Sequence, residues 1–295
     1  MIIIIIMNTD ISDIISNYIY KPKKVLLEWI DENKLINNYL SMNENAVDYL
    51  INNPYRIKWY YLSKNQNAIP LLEKNINNID WSSLCENLNG IEILNKPENY
   101  DRISWYFLSE NPNAISLIQD NLDKIDWYKL TINPNAMNII MNNMNKINSD
   151  LLSLNPNSIS FLKQNPHLIN WTYISSNPNA ISLIEENLDK INWRLLSTNP
   201  NAIHLLELNK YRIDWNCLSS NPNAISLLEK NLDKINWSYL SKNPNAISLL
   251  EKNQKKIDWT YFSSNPSIFY DINDKNDIKL LIKNAISIYL NKILS

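Results

Sequence analysis

The chain has 295 residues, 45% of them apolar and 20% charged, a balance that supports a folded body and excludes an extended disordered tail. It holds 13 Pro but a single Gly, and 52 Asn with 45 Ile make up about a third of it, so collagen-like, glycine-linker and glycine-rich phosphate-loop architectures are excluded. Lys+Arg at 28 against Asp+Glu at 30 gives a net charge of −2, which leaves no basic footprint for general nucleic-acid or anionic-membrane binding.

Residues 1–7 carry five consecutive Ile without a basic flank and are too few for a signal core or a membrane span; they read as a frayed or mis-assigned start. Ile11, Ile14, Ile15, Tyr18 and Ile19 recur at helical spacing, which makes 1–22 an N-terminal segment with an amphipathic cap helix ending before Pro22. From 23 to 270 the chain is periodic. Trp stands at 59, 81, 105, 127, 171, 193, 215, 237 and 259, at intervals of 22 except for one of 24 and one of 44. The long interval is two periods with Ser149 in the Trp slot, and one step back from Trp59 puts Asn37 in the first slot, giving eleven slots; Trp29 lies outside the register. A fixed period of this length marks a solenoid, whose units bury their apolar faces only against one another. The expected fold class is all-α: an α-solenoid of about eleven 22-residue helix-turn-helix repeats with helical end caps. After Pro266 the repeat dissolves, and Ile278, Leu281, Ile282, Ala285, Ile286, Tyr289 and Ile293 predict a C-terminal cap helix within 271–295. Eleven units stacked at ~8–10 Å should form an elongated, curved body about 90–110 Å along its path.

The clearest copy, residues 235–253, reads Ile-Asn-Trp-Ser-Tyr-Leu-Ser-Lys-Asn-Pro-Asn-Ala-Ile-Ser-Leu-Leu-Glu-Lys-Asn. The residue before the slot is Asp, Asn or Ser in nine of the ten slots from 58 onward, Lys58 being the exception, so a short helix starts at the Trp. Pro follows Asn111, Asn133, Asn155, Asn177, Asn199, Asn221, Asn243 and Asn265; it stops that helix and, with the Asn as cap, opens a second. The second helix, of about nine residues, ends at another Asn, such as Asn53, Asn75, Asn165 or Asn253, where a left-handed residue is expected and Asn substitutes for Gly. Gly90 occupies the slot that elsewhere holds Ala and reads as a close-packing variant. The second Asn of the motif, at 113, 135, 179, 201, 223 and 245, is placed for a hydrogen-bonded ladder between units. The Trp ladder itself is expected to be an enclosed structural spine with one weakly packed joint at Ser149.

The string Asn-Pro-Asn-Ala-Ile-x-Leu-Leu-Glu-x-Asn, completed by Asp-Lys-Ile-Asn/Asp-Trp-x-x-Leu-Ser, resembles the tandem repeats of proteins from giant, mimivirus-like DNA viruses. The Asn, Ile and Lys bias is similar to their AT-rich coding. The likeness runs from about Lys23, through a lead-in at Lys24, Val25, Leu26, Leu27, Glu28, Trp29 and Ile30, to a last unit at Asn265, Pro266, Ser267, Ile268 and Phe269, with departures at Asn37, Gly90 and Ser149. It implies a viral protein of the host cytoplasm or viral factory and transfers no catalytic or binding residues.

Catalytic chemistry has little to draw on. His167 and His204 fall in different units, Cys85 and Cys217 are far apart and at no metal-ligand spacing, and Glu229, Lys230, Asp233 and Lys234 form a solvated charged edge. No enzyme activity, catalytic residue, cofactor or metal site is expected. What remains is an aromatic set two positions after the Trp slot, Tyr61, Phe107, Tyr173, Tyr239 and Tyr261, with Tyr60, Tyr106 and Tyr128 one position earlier. The set is either the rim of the Trp core or an exposed stripe of the kind favoured at binding hot spots. The expectation is a soluble intracellular, non-enzymatic protein-protein interaction scaffold that uses these five residues to bind an unknown protein partner, and neither nucleic acid nor membrane. The alternative is a structural component of a viral particle or assembly.

Overall fold

The computed structural model describes residues 24–271. The cap helices expected within 1–22 and 271–295 lie outside the described residues, apart from Asp271, which ends a strand. The described residues form an all-α solenoid with two three-residue strands, and its units are numbered 1 to 11 here from the slots at 37, 59, 81, 105, 127, 149, 171, 193, 215, 237 and 259.

Each unit is one turn of a wide coil. In unit 10 a first helix, Trp237–Ser241, leads to a 3-10 turn, Pro244–Ala246, then a second helix, Ile247–Glu251, and a second turn, Gln254–Lys256. Extended residues form the corners, with Asn243 at φ −72°, ψ 117° and Ile257 at φ −67°, ψ 127°. Helices of one turn are unstable alone, so the coil depends on caps and on the neighbouring units. Asp80, Asp126, Asn192, Asp214 and Asn236 accept a backbone N–H at the start of the first helix, as their type predicts, whereas Ser104 and Lys58 do not. Leu240, Ala246, Leu249 and Leu250 and their equivalents fill the coil. A Cβ on Gly90 would lie 2.7 Å from the Leu84 carbonyl oxygen, the close approach that explains glycine there.

The asparagines that end the second helices are not left-handed. No described residue has a positive φ, and Asn53 and Asn253 both sit at φ −130°. Their side chains do the capping instead: Asn53 Nδ2 donates to the Tyr49 carbonyl and Asn253 Nδ2 to the Leu249 carbonyl, each at 2.9 Å. Asparagine thus satisfies a helix-end carbonyl that glycine would leave to water.

The asparagine that opens each Pro-Asn-Ala turn bonds in three directions. In unit 10, Asn243 Oδ1 accepts the Asn245 N–H at 3.0 Å, while Asn243 Nδ2 donates to the carbonyls of Ser219 (3.2 Å) and Asn221 (2.9 Å) in the preceding unit. All eleven units make this pair of inter-unit bonds, and each of these asparagines is buried. The second Asn of the motif adds the expected outer rung, Asn245 Nδ2 to the Pro222 carbonyl at 2.9 Å. A buried serine closes most coils: Ser241 Oγ donates to its own Trp237 carbonyl at 2.7 Å and accepts the Asp258 N–H at 3.0 Å, while Cys85 and Thr131 hold this position in units 3 and 5.

Unit 1 makes the same bonds to unit 11. Asn43 Nδ2 donates to the carbonyls of Ser263 (3.1 Å) and Asn265 (2.8 Å), Asn45 Nδ2 to that of Pro266 (2.8 Å), and the Ile36 N–H to Ser263 Oγ (2.8 Å). Unit 11 is itself composite. Its first helix, Trp259–Ser263, and its first turn, Pro266–Ile268, come from one end of the described chain; its second turn, Glu32–Lys34, comes from the other. Between them, where other units have a second helix, strand β1 (Lys24–Leu26) pairs antiparallel with β2 (Phe269–Asp271).

The solenoid is therefore a closed ring, which corrects the elongated open body expected from repeat stacking alone. The path length of about 90–110 Å bends into a circle about 30 Å across. First helices of successive units stack directly, Trp215–Ser219 on Trp237–Ser241 on Trp259–Ser263 on Asn37–Met42 on Trp59–Leu62. The same pair of asparagine bonds joins every unit to its predecessor, and eleven units complete the turn. Each described unit therefore has a neighbouring unit on both faces.

The tryptophans are half-buried, not enclosed. Eight of the nine in the register lie beneath a cation at the end of their own coil, with Lys256 4.4 Å above Trp237, Lys234 4.7 Å above Trp215, Arg102 4.7 Å above Trp81 and, from the other chain end, Lys34 5.1 Å above Trp259. Lys234, read as part of a solvated edge, is thus a lid on Trp215, and cation–π attraction holds such pairs together. The tryptophans pack against the core, and the isoleucine two positions before the slot is buried at Ile79, Ile103, Ile125, Ile191, Ile213, Ile235 and Ile257 but only half-buried at Ile57, Ile147 and Ile169, each of which has a slot without Trp in its own or the preceding unit.

Candidate interaction surface

Two positions after the slot, the first helices carry side chains that flank their counterparts in the next unit. Ring closure brings four tyrosines from units 10, 11, 1 and 2 into one arc. The ring centroids of Tyr239 and Tyr261 are 6.4 Å apart, those of Tyr261 and Tyr39 6.4 Å, and those of Tyr39 and Tyr61 6.3 Å. Tyr60 meets Tyr61 edge-on at 5.1 Å. Three of the five aromatics picked from sequence, Tyr61, Tyr239 and Tyr261, are thus neighbours. Phe107 instead pairs edge-on with Tyr106 at 5.1 Å, in unit 4, and Tyr173 stands apart in unit 7 with no ring partner among the described residues.

Tyr39 is the member that the sequence reading missed. Its slot holds Asn37 in place of Trp, so the aromatic pattern starts one unit late, and an open array puts it at the far end from Tyr261. None of the five expected residues is buried. Tyr239 is 38% exposed, and Tyr61, Phe107, Tyr173 and Tyr261 are half-buried, as is Tyr39. The hydroxyls of the four arc tyrosines make no hydrogen bond among the described residues, unlike that of Tyr49, which donates to Glu32 Oε2 at 2.8 Å.

Charge differs at the two ends of the arc. Lys242 lies 5.3 Å from the Tyr239 ring and 6.0 Å from that of Tyr261, without an ion pair among the described residues. At the other end Lys64 sits 5.3 Å from the Tyr60 ring but is held by both oxygens of Glu86, at 3.0 and 2.9 Å. Further round, Lys129 is paired with Glu110 at 2.6 Å.

The remaining chemical groups do not converge. Burial pushes the Cys85 thiol up to about 11, against which the Ser104 N–H bond at 3.3 Å works only partly. Burial also raises Cys217, partly opposed by Arg194, so both are free thiols held protonated at neutral pH. His204 bonds Glu185 at 2.8 Å on an exposed surface. Among the described residues there is no group of three or more His, Cys, Asp or Glu arranged to hold a metal ion, and no helix is long and apolar enough to cross a membrane. Comparison with family models, with curated proteins and with solved structures gives no match.

Proposed function

We propose that the chain is a non-enzymatic protein-interaction scaffold, a rigid ring that presents the tyrosine arc to a protein partner. The observation that carries this reading is that four tyrosines from opposite ends of the repeat array are held side by side with unbonded hydroxyls. Tyrosine offers a large amphipathic contact with few rotatable bonds, which is why it recurs at binding hot spots. A viral origin, with a location in the host cytoplasm or viral factory, rests on the resemblance of the repeat sequence. A particle component assembled head to tail through its repeat ends is disfavoured, because the ring closes those ends on each other.

Site-specific photocrosslinking in the native cell tests the proposal. A photoreactive phenylalanine analogue in place of Tyr261 should give a discrete adduct with one protein. The same group in place of Tyr211, 80% exposed on the second turn of unit 8, should not. Equal labelling from both positions, or none from either, would remove the arc as a binding surface.

A further inference from the structure

The spacing of the arc specifies the shape of what it binds. Successive tyrosine rings are 6.3–6.4 Å apart. Alternate residues of a β-strand recur on one face every ~6.6–6.8 Å, whereas residues on one face of a polyproline helix are three apart, ~9.3 Å. Every second side chain of an extended segment therefore meets the next tyrosine, and the four rings span about seven residues at that rise. An α-helix repeats at ~6 Å for residues four apart, but it is a straight rod about 10–12 Å thick, and the arc follows the curve of the ring, so a helix would touch only two rings at once.

Two further features define the segment. The free tyrosine hydroxyls can bond the backbone N–H and C=O groups that an extended chain leaves unpaired. Lys242, at the Tyr239 end, is the one arc cation without an ion pair among the described residues, and it suits a carboxylate. A single-stranded nucleic acid also stacks on aromatics at similar spacing, but it needs a basic track along its phosphates. Here Lys64 is neutralised by Glu86, and one cation does not make a track. We infer that the arc is a groove for an extended peptide segment of about seven residues, with apolar side chains at alternate positions and an acidic group at the Lys242 end. This deepens the scaffold reading and rests on it.

The experiment is a displayed library of random dodecapeptides, panned against the full chain. The expected consensus alternates apolar and polar residues over about seven positions and carries Asp or Glu at one end. A fluorescein-labelled peptide of that consensus should lose about tenfold or more in affinity for the double variant Tyr39→Ser, Tyr261→Ser. Lys242→Ala should weaken the acidic peptide about three- to tenfold and leave its glutamine analogue unchanged. Circular dichroism and melting temperature report whether the variants remain folded, and Tyr239→Ser, at the most exposed ring, replaces the double variant if that one melts early. Selected peptides with apolar residues three and four apart that still need the tyrosines would overturn the extended segment while keeping the arc as a binding surface. No enrichment, or binding indifferent to the tyrosines, would overturn both, and tighter binding of a thymidine octanucleotide than of the peptide would overturn the peptide assignment.

Discussion

Two places in the ring depart from the regular unit, in opposite directions. The seam lies in unit 11, whose two parts come from opposite ends of the described chain with no covalent link among the described residues, yet it has the full repeat pattern and more. The Asn43 bonds, the Ser263 bond to Ile36 and the Lys34 lid on Trp259 are all present. To these it adds the strand pair, the Lys24–Asp271 ion pair at 2.9 Å, Trp29 on Phe262 at 5.7 Å and Tyr49 on Phe269 at 5.9 Å. Units 5 and 6 are covalently continuous and poorer. Thr131 bonds its own Trp127 carbonyl at 2.7 Å without taking the N–H that closes other coils, Ser149 leaves unit 6 without an indole, and the first helix there tightens into a 3-10 helix, Ser149–Leu154. Ser158, in the Ala slot, turns its hydroxyl to the Leu152 and Asn155 carbonyls as partial compensation. The comparison teaches that chain continuity and structural continuity are separate: the ring is better sealed where the described residues begin and end than in its middle.

The largest expected effect comes from opening the seam. A chain starting at residue 37 loses β1 and half of unit 11, and the exposed faces of two units should cost on the order of 5 kcal/mol or more; solution scattering should show an expanded particle. Circular permutation sharpens the test. Lys24 and Asp271 are paired partners, so a hairpin loop of about 2–5 residues can join them. New ends in 143–146, beside the weak units, should then be tolerated better than new ends in 231–234, by about 1–2 kcal/mol in denaturant unfolding. Equal stabilities would show that units 5 and 6 are no weaker than the rest.

Next come the buried asparagines. Asn43→Ala and Asn243→Ala each strand two carbonyls and one turn N–H, and each should cost about 3 kcal/mol or more. The two losses should match, because one seals the seam and the other an internal joint with the same geometry. If Asn43→Ala costs at least ~1.5 kcal/mol less, the seam is frayed in solution and the closure contributes little.

The coil was legible in the sequence because it is decided locally. The capping residue before each Trp, the Asn-Pro pairs that end one helix and start another, and the period itself lie within one or two units. Closure depends on a small tilt repeated eleven times between units joined by bonds such as those of Asn243 Nδ2 to two carbonyls of the preceding unit; no one-dimensional pattern carries an angle. Traces of it were present in Lys34, which stands where Trp259 needs a cation, and in Trp29, an indole outside the register that serves Phe262. The binding arc was half legible for the same reason. Tyr61, Tyr239 and Tyr261 were found by position, but only closure makes the first and last units neighbours and makes Tyr39 the link between them.

A smaller effect should follow from repairing unit 6. Ser149→Trp alone restores an indole to the slot of the unit where Ile147 is half-buried, but the position that would cover it holds Leu168 in place of a cation. The double variant Ser149→Trp, Leu168→Lys should stabilise by about 1–2 kcal/mol, from renewed apolar burial and the cation–π pair together, and should erase the preference for permutation at 143–146. A net loss of stability would show that the 3-10 helix Ser149–Leu154 has closed over the smaller side chain.

The smallest effect separates the lid from the indole. Trp59 is the one tryptophan of the register without a cation above it, because the position that covers the others is Asn78 in unit 2. Asn78→Lys should therefore add about 0.5–1 kcal/mol, a rise in melting temperature on the order of 1–3 °C for a chain of this size. The gain should vanish in a Trp59→Leu background, since leucine keeps an apolar cover but has no ring face for the ammonium. Lys256→Asn in unit 10 should remove a similar amount and likewise become neutral beside Trp237→Leu. If Asn78→Lys is as favourable over leucine as over tryptophan, the lysine acts through general charge balance, and the stacked cations elsewhere in the ring, including Lys34 at the seam, are decoration on a structure held by its asparagines.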